Sequence, residues 1–202
     1  MKILKMYSSS INERYLDEIV ETLRDGGVII YPTDTIYAIG CDALSNRAIE
    51  SVCRLKGIDC RKETLSIVAS DMSMASQYGR IDNDAFRLMR ANLPGPFTFI
   101  LPAATTLPKV FKGRKTVGIR IPDNAIARAI AERLGNPILS SSITGADDAE
   151  LSFPPSIAER YERADVALMV DGGDGGVIGS TVVDLTDSRS PEITRQGAGN
   201  LI

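Results

Sequence analysis

Gly27-Val28-Ile29-Ile30-Tyr31-Pro32-Thr33-Asp34-Thr35-Ile36-Tyr37 is the stretch on which the reading of this 202-residue chain turns. Val28 to Tyr31 is a short, continuous apolar run, the mark of a strand buried on both faces. Pro32 cannot donate to a sheet ladder, so it ends the strand and throws two threonine hydroxyls and a carboxylate onto a loop. That loop admits two readings: it faces a ligand, or Thr33 and Asp34 merely bond their own backbone in a turn. Upstream, Leu16, Ile19, Val20 and Leu23 fall at i, i+3, i+4 and i+7. They predict a helix over 12–24, capped by Ser10 or Asn12 and stopped at Gly26-Gly27.

Downstream, Ser45 caps a helix carrying Ile49 and Val52, Leu65–Ala69 is an apolar run, and a further helix lies near 82–92. Phe97–Leu101 and Thr116–Ile121 read as strands, each followed by a proline. Asp123 caps a helix that runs to Leu134, with Gly135 as its stop. Pro137–Ser141, Val166–Val170, Thr181–Leu185 and Ile193 add strands, and 155–163 a short helix. Roughly seven strands interleaved with roughly five helices predict an α/β fold with a twisted, open, mixed sheet. No long linker or repeat interrupts it, so residues 1–202 form one domain.

Composition narrows the chemistry. There is no histidine, which removes Ser-His-Asp and Cys-His nucleophilic sites and every imidazole-bound metal. Chemistry driven by positioning and charge stabilisation therefore moves forward. The net charge of −3 means that any grip on nucleic acid must come from a local basic patch. Cys41, Cys53 and Cys60 contain no CxxC pair and are odd in number, which predicts no disulfide framework and a reducing cytoplasm. The start, MKILKMYSSS, lacks the apolar run of a signal peptide, and no stretch approaches the roughly 18 apolar residues of a membrane span. Neither a P-loop nor a GxGxxG fingerprint is present, and the glycines at 172–176 read as a tight turn.

Two further clusters carry chemistry. Lys109, Lys112, Arg114 and Lys115 crowd together ahead of the strand bearing Arg120, and Arg54, Lys56, Arg61 and Lys62 form a second positive group. Arg120 lies between Ile119 and Ile121 and so projects to the opposite face. Its planar fork suits a carboxylate or phosphate if that face lines a cleft; otherwise it is a snorkelling residue on a solvated face. Ser140-Ser141-Ser142-Ile143-Thr144 follows an apolar strand, where hydroxyls face either a ligand or a serine-rich turn.

In combination these pieces resemble the YrdC-like family of threonylcarbamoyl-adenylate synthases. GGVIIYPTDTIYAIG resembles that family's opening strand and loop, Leu93-Pro94-Gly95-Pro96-Phe97-Thr98 its P-G-P-x-T element, and Val117 to Pro122 its V-x-x-R-x-P strand. Gly179-Ser180-Thr181-Val182-Val183-Asp184 and Arg195-Gln196-Gly197 are similar to its closing motifs, so the match spans about 12–200. The resemblance implies a twisted open sheet with a concave basic face. It implies that L-threonine, bicarbonate and ATP with Mg²⁺ are joined into threonylcarbamoyl-adenylate plus pyrophosphate for tRNA adenosine modification, with no tightly bound, protein-ligated metal.

By the same resemblance Thr33, Thr35, Tyr37, Arg120 and Ser180 bind the amino acid. Lys56, Arg61, Lys62, Thr116, Ser142, Thr144 and Arg195 hold the nucleotide, and Lys56 and Arg120 carry catalysis. The family's Lys-x-Arg-Pro here reads Lys56-Gly57-Ile58-Asp59, its histidine is Val68, its Ser-Ala-Asn is Ser142-Ile143-Thr144, and its glycine after the tyrosine is Ala38. These departures resemble the YciO-like branch and imply reduced or altered synthase activity. The alternative is a module that binds double-stranded RNA or tRNA on the basic face without catalysis.

Overall fold

The computed structural model describes residues 1–59, 66–104, 115–143 and 150–202. Its strands are β1 (Lys2–Lys5), β2 (Ile29–Tyr31), β3 (Ala38–Asp42), β4 (Ser66–Val68), β5 (Phe97–Pro102), β6 (Thr116–Arg120), β7 (Ile138–Ser142), β8 (Leu168–Asp171), β9 (Thr181–Asp184) and β10 (Glu192–Arg195). They form one open ten-stranded sheet in the order β1-β8-β2-β3-β7-β4-β6-β5-β9-β10. Pairing is parallel for β1–β8, β2–β8, β4–β6 and β5–β9, and antiparallel elsewhere, which makes the sheet mixed as expected.

The helices are α1 (Glu13–Arg24), α2 (Asn46–Lys56), α3 (Met72–Tyr78), α4 (Asn83–Asn92), α5 (Ala125–Leu134) and α6 (Pro154–Arg160). The predicted stripe of α1 is buried throughout, and its helix packs beside α5 on one face of the sheet. Each such Leu or Ile stabilises the fold by about 1.5–3 kcal/mol. The opposite face carries α2, α3, α4 and α6 over Ile39, Ile67, Phe99, Ile119 and Leu139. Side chains alternate along a strand, so Val117 and Ile119 enter this second core while Gly118 and Arg120 turn to the α1/α5 face.

Three elements were not anticipated: β1, β3 and α3. β3 contains Ala38, Gly40 and Asp42, which are poor strand formers, and its conformation comes from pairing with β2 and β7. Gly40 is needed there, because a Cβ would sit 2.7 Å from both the Tyr31 ring and Ile138. The cap of α5 also differs. Asn124, not Asp123, accepts the Ala127 N–H at 3.1 Å: the helix starts at Ala125, one residue later than expected, and the Asp123 carboxylate pairs with Arg128 instead. Gly135 does stop α5 in the left-handed conformation, at φ +76°. Cys41 is a free, buried thiol, but Cys53 is disulfide-bonded, against the expectation of no disulfide. No helix among the described residues is long and apolar enough to cross a membrane.

Candidate active site

Helices α1 and α5 cover only part of their face of the sheet. Beyond them the strands β7, β4, β6, β5 and β9 present Ser140, Ser142, Ser66, Gly118, Thr98 and Val182, small or hydroxyl-bearing residues in place of a core. The result is a cleft of about 450 Å³. Lys56 from the end of α2, Arg120 from the end of β6 and Arg195 from the end of β10 line it, and among the described residues no Asp or Glu does. Three cations over a floor of hydroxyls give the cleft a positive lining whose donors suit a carboxylate or a phosphate.

Arg120 is the most constrained of the three. Its Nη2 donates to Asp34 Oδ1 and to Thr35 Oγ1, both at 2.9 Å. The pair is buried, with the side chains of Arg120 and Asp34 only 4% and 8% exposed. Asp34 Oδ2 also accepts the Asp123 backbone N–H at 3.0 Å. Arg120 Nε, by contrast, is buried with no hydrogen-bond partner, alone in this among the buried side-chain polar atoms of the described residues.

In the proline-terminated loop Thr33 bonds its own backbone as the turn reading expects, whereas Asp34 reaches across the fold to Arg120 and Asp123. Thr33 Oγ1 donates to the Ile36 carbonyl at 2.8 Å and accepts the Thr35 N–H at 3.1 Å, so it ties the turn. Its proton being committed, the 3.2 Å contact between the two hydroxyls has Thr35 donating to Thr33. Thr35 then presents its oxygen to Arg120. Tyr37 turns elsewhere: its hydroxyl donates to the Gly173 carbonyl at 2.7 Å and accepts the Gly172 N–H at 3.0 Å, buttressing the glycine loop. Burial pushes this phenol up to about 12.

Lys56 Nζ donates to the Ser142 carbonyl at 2.7 Å, and burial holds its pKa below the usual lysine value. Arg195 donates from Nη2 and Nε to the Ser180 carbonyl at 2.8 and 3.3 Å, and from Nη2 to Ser180 Oγ at 3.3 Å. Ser180 Oγ lies 2.8 Å from Thr98 Oγ1. Lys56, Arg120, Ser142, Ser180 and Arg195 therefore share one cleft, and Thr35 joins it through Arg120. Thr116 starts β6 on the face of Gly118 and Arg120. Arg61, Lys62 and Thr144 lie outside the described residues, as do Lys109, Lys112 and Arg114 of the basic cluster.

The sequence reading missed Asp34 as Arg120's partner, and missed Tyr31 and Ser140. Tyr31 crosses beneath β3 and donates to Ser140 Oγ at 2.8 Å, which orients that hydroxyl on the cleft floor. Burial pushes the Tyr31 phenol up to about 12 as well. A tyrosine closing an apolar run gives no sign of a polar partner 109 positions away.

A family model described as Telomere recombination, covering the Sua5, YciO and YrdC proteins, matches residues 21–197. YciO of Escherichia coli is 40% identical over 193 residues, covering 94% of this chain and 92% of that protein. Its crystal structure matches with a TM-score of 0.90, covering 99% of this chain and 98% of that one. A threonylcarbamoyl-AMP synthase of Halorhodospira halophila is 30% identical over 177 residues, 86% of this chain and 90% of the relative. Sua5 of Pyrococcus abyssi, solved with L-threonine, matches at 26% identity with a TM-score of 0.85, covering 98% of this chain and 58% of that one. Sequence motifs, sheet order and these likenesses agree, and the chain belongs to the Sua5/YciO/YrdC family.

Proposed function

We propose that the cleft binds ATP and a small amino acid, L-threonine or a near relative, and joins them through bicarbonate into a carbamoyl-adenylate with release of pyrophosphate. The observation that carries this reading is the convergence of Lys56, Arg120 and Arg195 in one cleft whose described lining holds no Asp or Glu. Family membership and the relatives named threonylcarbamoyl-AMP synthase support it. The RNA-binding alternative is not favoured, since the relatives at about 30% identity are named as synthases.

In this reading the amino-acid carboxylate meets Arg120 near Ser180, and the nucleotide lies between Lys56, Ser142 and Arg195. The amine and bicarbonate condense to a carbamate with loss of water. A carbamate oxygen then attacks the α-phosphorus of ATP, the bond to the β-phosphate bridging oxygen breaks, and pyrophosphate departs with its charge met by Lys56 and Arg195. No histidine is needed, since the protein positions and neutralises rather than shuttling protons. Mg²⁺ enters as the counter-ion of ATP. The product is an activated carbamoyl group suited to transfer onto a tRNA adenosine by a separate enzyme.

The test is incubation of the pure protein with radiolabelled bicarbonate, ATP and Mg²⁺ plus each amino acid in turn. Labelled adenylate formed with L-threonine or another small amino acid, and lost in Lys56→Ala, is the expected result. Label at the level of the Lys56→Ala control for every amino acid would reject the synthase reading.

A further inference from the structure

We infer that Thr181 is a positioning residue: from the far side of the sheet its hydroxyl ties down the chain that follows β10, and thereby holds the Arg195 guanidinium in the cleft. The inference rests on the proposed function only for the identity of the ligand, an anionic nucleotide. Ser180 and Val182 line the cleft, so Thr181 between them points to the opposite face, where it is fully buried beside its ladder partner Phe97. It reaches a ligand only through other residues.

Arg195 needs such support because of where it stands. β10 is last in the sheet order and pairs with β9. The register breaks between Ile193 and Arg195, so that Thr194 and Arg195 together oppose Val182, and both line the cleft. A bulge of this kind aims side chains but disrupts the ladder that would hold them. Arg195 is exposed, so a ligand in the cleft can meet it as it stands. Its Nε and Nη2 grip the Ser180 carbonyl, while Nη1 makes no hydrogen bond to a described residue.

After Arg195 the chain crosses the end of β9 to the face of Thr181. Gly197 makes the crossing. A Cβ there would sit 2.3 Å from the Gly179 carbonyl oxygen and 2.5 Å from the carbonyl carbon and oxygen of Ser180, the same carbonyl that Arg195 grips. Gly199 then lies against the Phe97 ring, which a Cβ would approach to 2.5 Å. Thr181 Oγ1 accepts the N–H groups of Gly197 and Gly199 at 3.0 and 3.1 Å and donates to the Gly199 carbonyl at 2.7 Å. Its proton and both lone pairs are thus committed to this one strap. The Ala198 N–H adds a bond to the Gly179 carbonyl at 2.9 Å, and Gln196 Nε2 one to the Gly199 carbonyl at 2.7 Å. Thr181, Gly197, Ser180 and Arg195 therefore form a closed ring of contacts. Without the hydroxyl two amides lose their acceptor, and the carbonyl that anchors Arg195 loses the backbone pressed against it.

Valine keeps the shape of threonine and removes the hydroxyl, whereas serine keeps the hydroxyl. Thr181→Val, Thr181→Ser, Arg195→Ala and the Thr181→Val/Arg195→Ala pair, with the wild type beside them, test the inference at a temperature where all are folded. The first readout needs no ligand: ¹⁵N relaxation of the Arg195 Nε–H signal, assigned by its loss in Arg195→Ala. The group should be ordered in the wild type, fall to an order parameter below about 0.6 in Thr181→Val, and recover in Thr181→Ser. The second is calorimetry with a non-hydrolysable ATP analogue and Mg²⁺. The Kd should rise about tenfold in Thr181→Val and lie within about threefold of the wild type in Thr181→Ser. In the Arg195→Ala background Thr181→Val should add less than about twofold, because both changes remove the same contact.

An unchanged Nε–H order parameter in Thr181→Val overturns the positioning role, as does an equal rise in Kd with and without Arg195. Thr181→Ser behaving as badly as Thr181→Val overturns the assignment to the hydroxyl. Lower stability with order and Kd both unchanged makes Thr181 a part of the hairpin alone and also overturns the inference. A wild type that binds no analogue rejects the proposed nucleotide, and the relaxation measurement then decides on Thr181 by itself. Should Thr181→Val not fold, Thr181→Cys, whose thiol is a weak acceptor, is read by the same criteria.

Discussion

At Arg120 a single guanidinium serves both the fold and the site. Its ion pair with Asp34 is buried, and a charge left alone there would be poorly solvated. Asp34→Ala is therefore expected to destabilise the protein by about 3–5 kcal/mol, read as the shift in urea midpoint at unchanged slope. Arg120→Lys keeps the charge but loses the planar fork, and Nζ cannot serve Asp34, Thr35 and a ligand carboxylate in the same geometry. The expected result is a folded protein whose adenylate synthesis saturates only at amino-acid concentrations raised by about tenfold or more, measured as KM with kcat compared separately. The opposite case is Tyr31, which never touches the cleft. Tyr31→Phe removes its bond to Ser140 and should cost about 1 kcal/mol, with the folded sheet intact by circular dichroism.

The elements that carry the site are short and are placed by their ends. α5 begins beside Asp123, whose N–H holds Asp34, and its N-cap is Asn124. Asn124→Ala removes the side-chain acceptor of the Ala127 N–H and should cost about 1 kcal/mol in denaturant unfolding. Because the cap adjoins the Asp34 anchor, a rise in amino-acid KM should accompany that loss. On β6, Gly118 lies on the cleft floor between two neighbours: a Cβ there would come 3.2 Å from Thr98 Cγ2 and 3.3 Å from Ser66 Cβ. Alanine asks those side chains to yield by a few tenths of an ångström, whereas valine has nowhere to place its methyls except the cleft. Gly118→Val is expected to weaken ATP-analogue binding in calorimetry while α1 and α5 pack as before.

Across the whole molecule, buried groups that ionise late in the fold, the Tyr31 and Tyr37 phenols and the Cys41 thiol among them, weaken it in alkali. Tyr31 and Tyr37 both ionise near 12 in the fold against an ordinary value near 10, chiefly because burial penalises the phenolate. Between pH 10 and 12 the unfolded chain has released these protons while the folded one retains them. The folded state thus binds more protons, and stability falls as pH rises through this window. For fully buried Tyr31 the slope approaches about 1.4 kcal/mol per pH unit. Urea midpoints at pH 9, 10, 11 and 12 should decline across the last three, and Tyr31→Phe should flatten the decline. Below pH 10 the two proteins should run parallel.

The linear order of residues carried most of the architecture. Periodicity placed α1 within a residue of its observed start, Ser45 and Gly135 marked helix ends through local backbone chemistry, and prolines follow β2 and β6 closely, whereas β5 runs on through Pro102. Those features depend on neighbours a few positions apart, which is why they can be read from letters. The strand β3, with its alanine and glycine, could not be, because its partners on β2 and β7 impose its conformation. The motifs named Lys56, Arg120, Ser142, Ser180 and Arg195 as candidates, but their meeting in one cleft depends on α2, β6, β7 and β10 being brought to one side of the sheet. Asp34 and Arg120 are 86 positions apart, as are Lys56 and Ser142, and no local signal links either pair. Tertiary structure alone decided which half of the sheet stays uncovered, and which acceptors hold Arg120, because burial and hydrogen-bond saturation are properties of the packed chain.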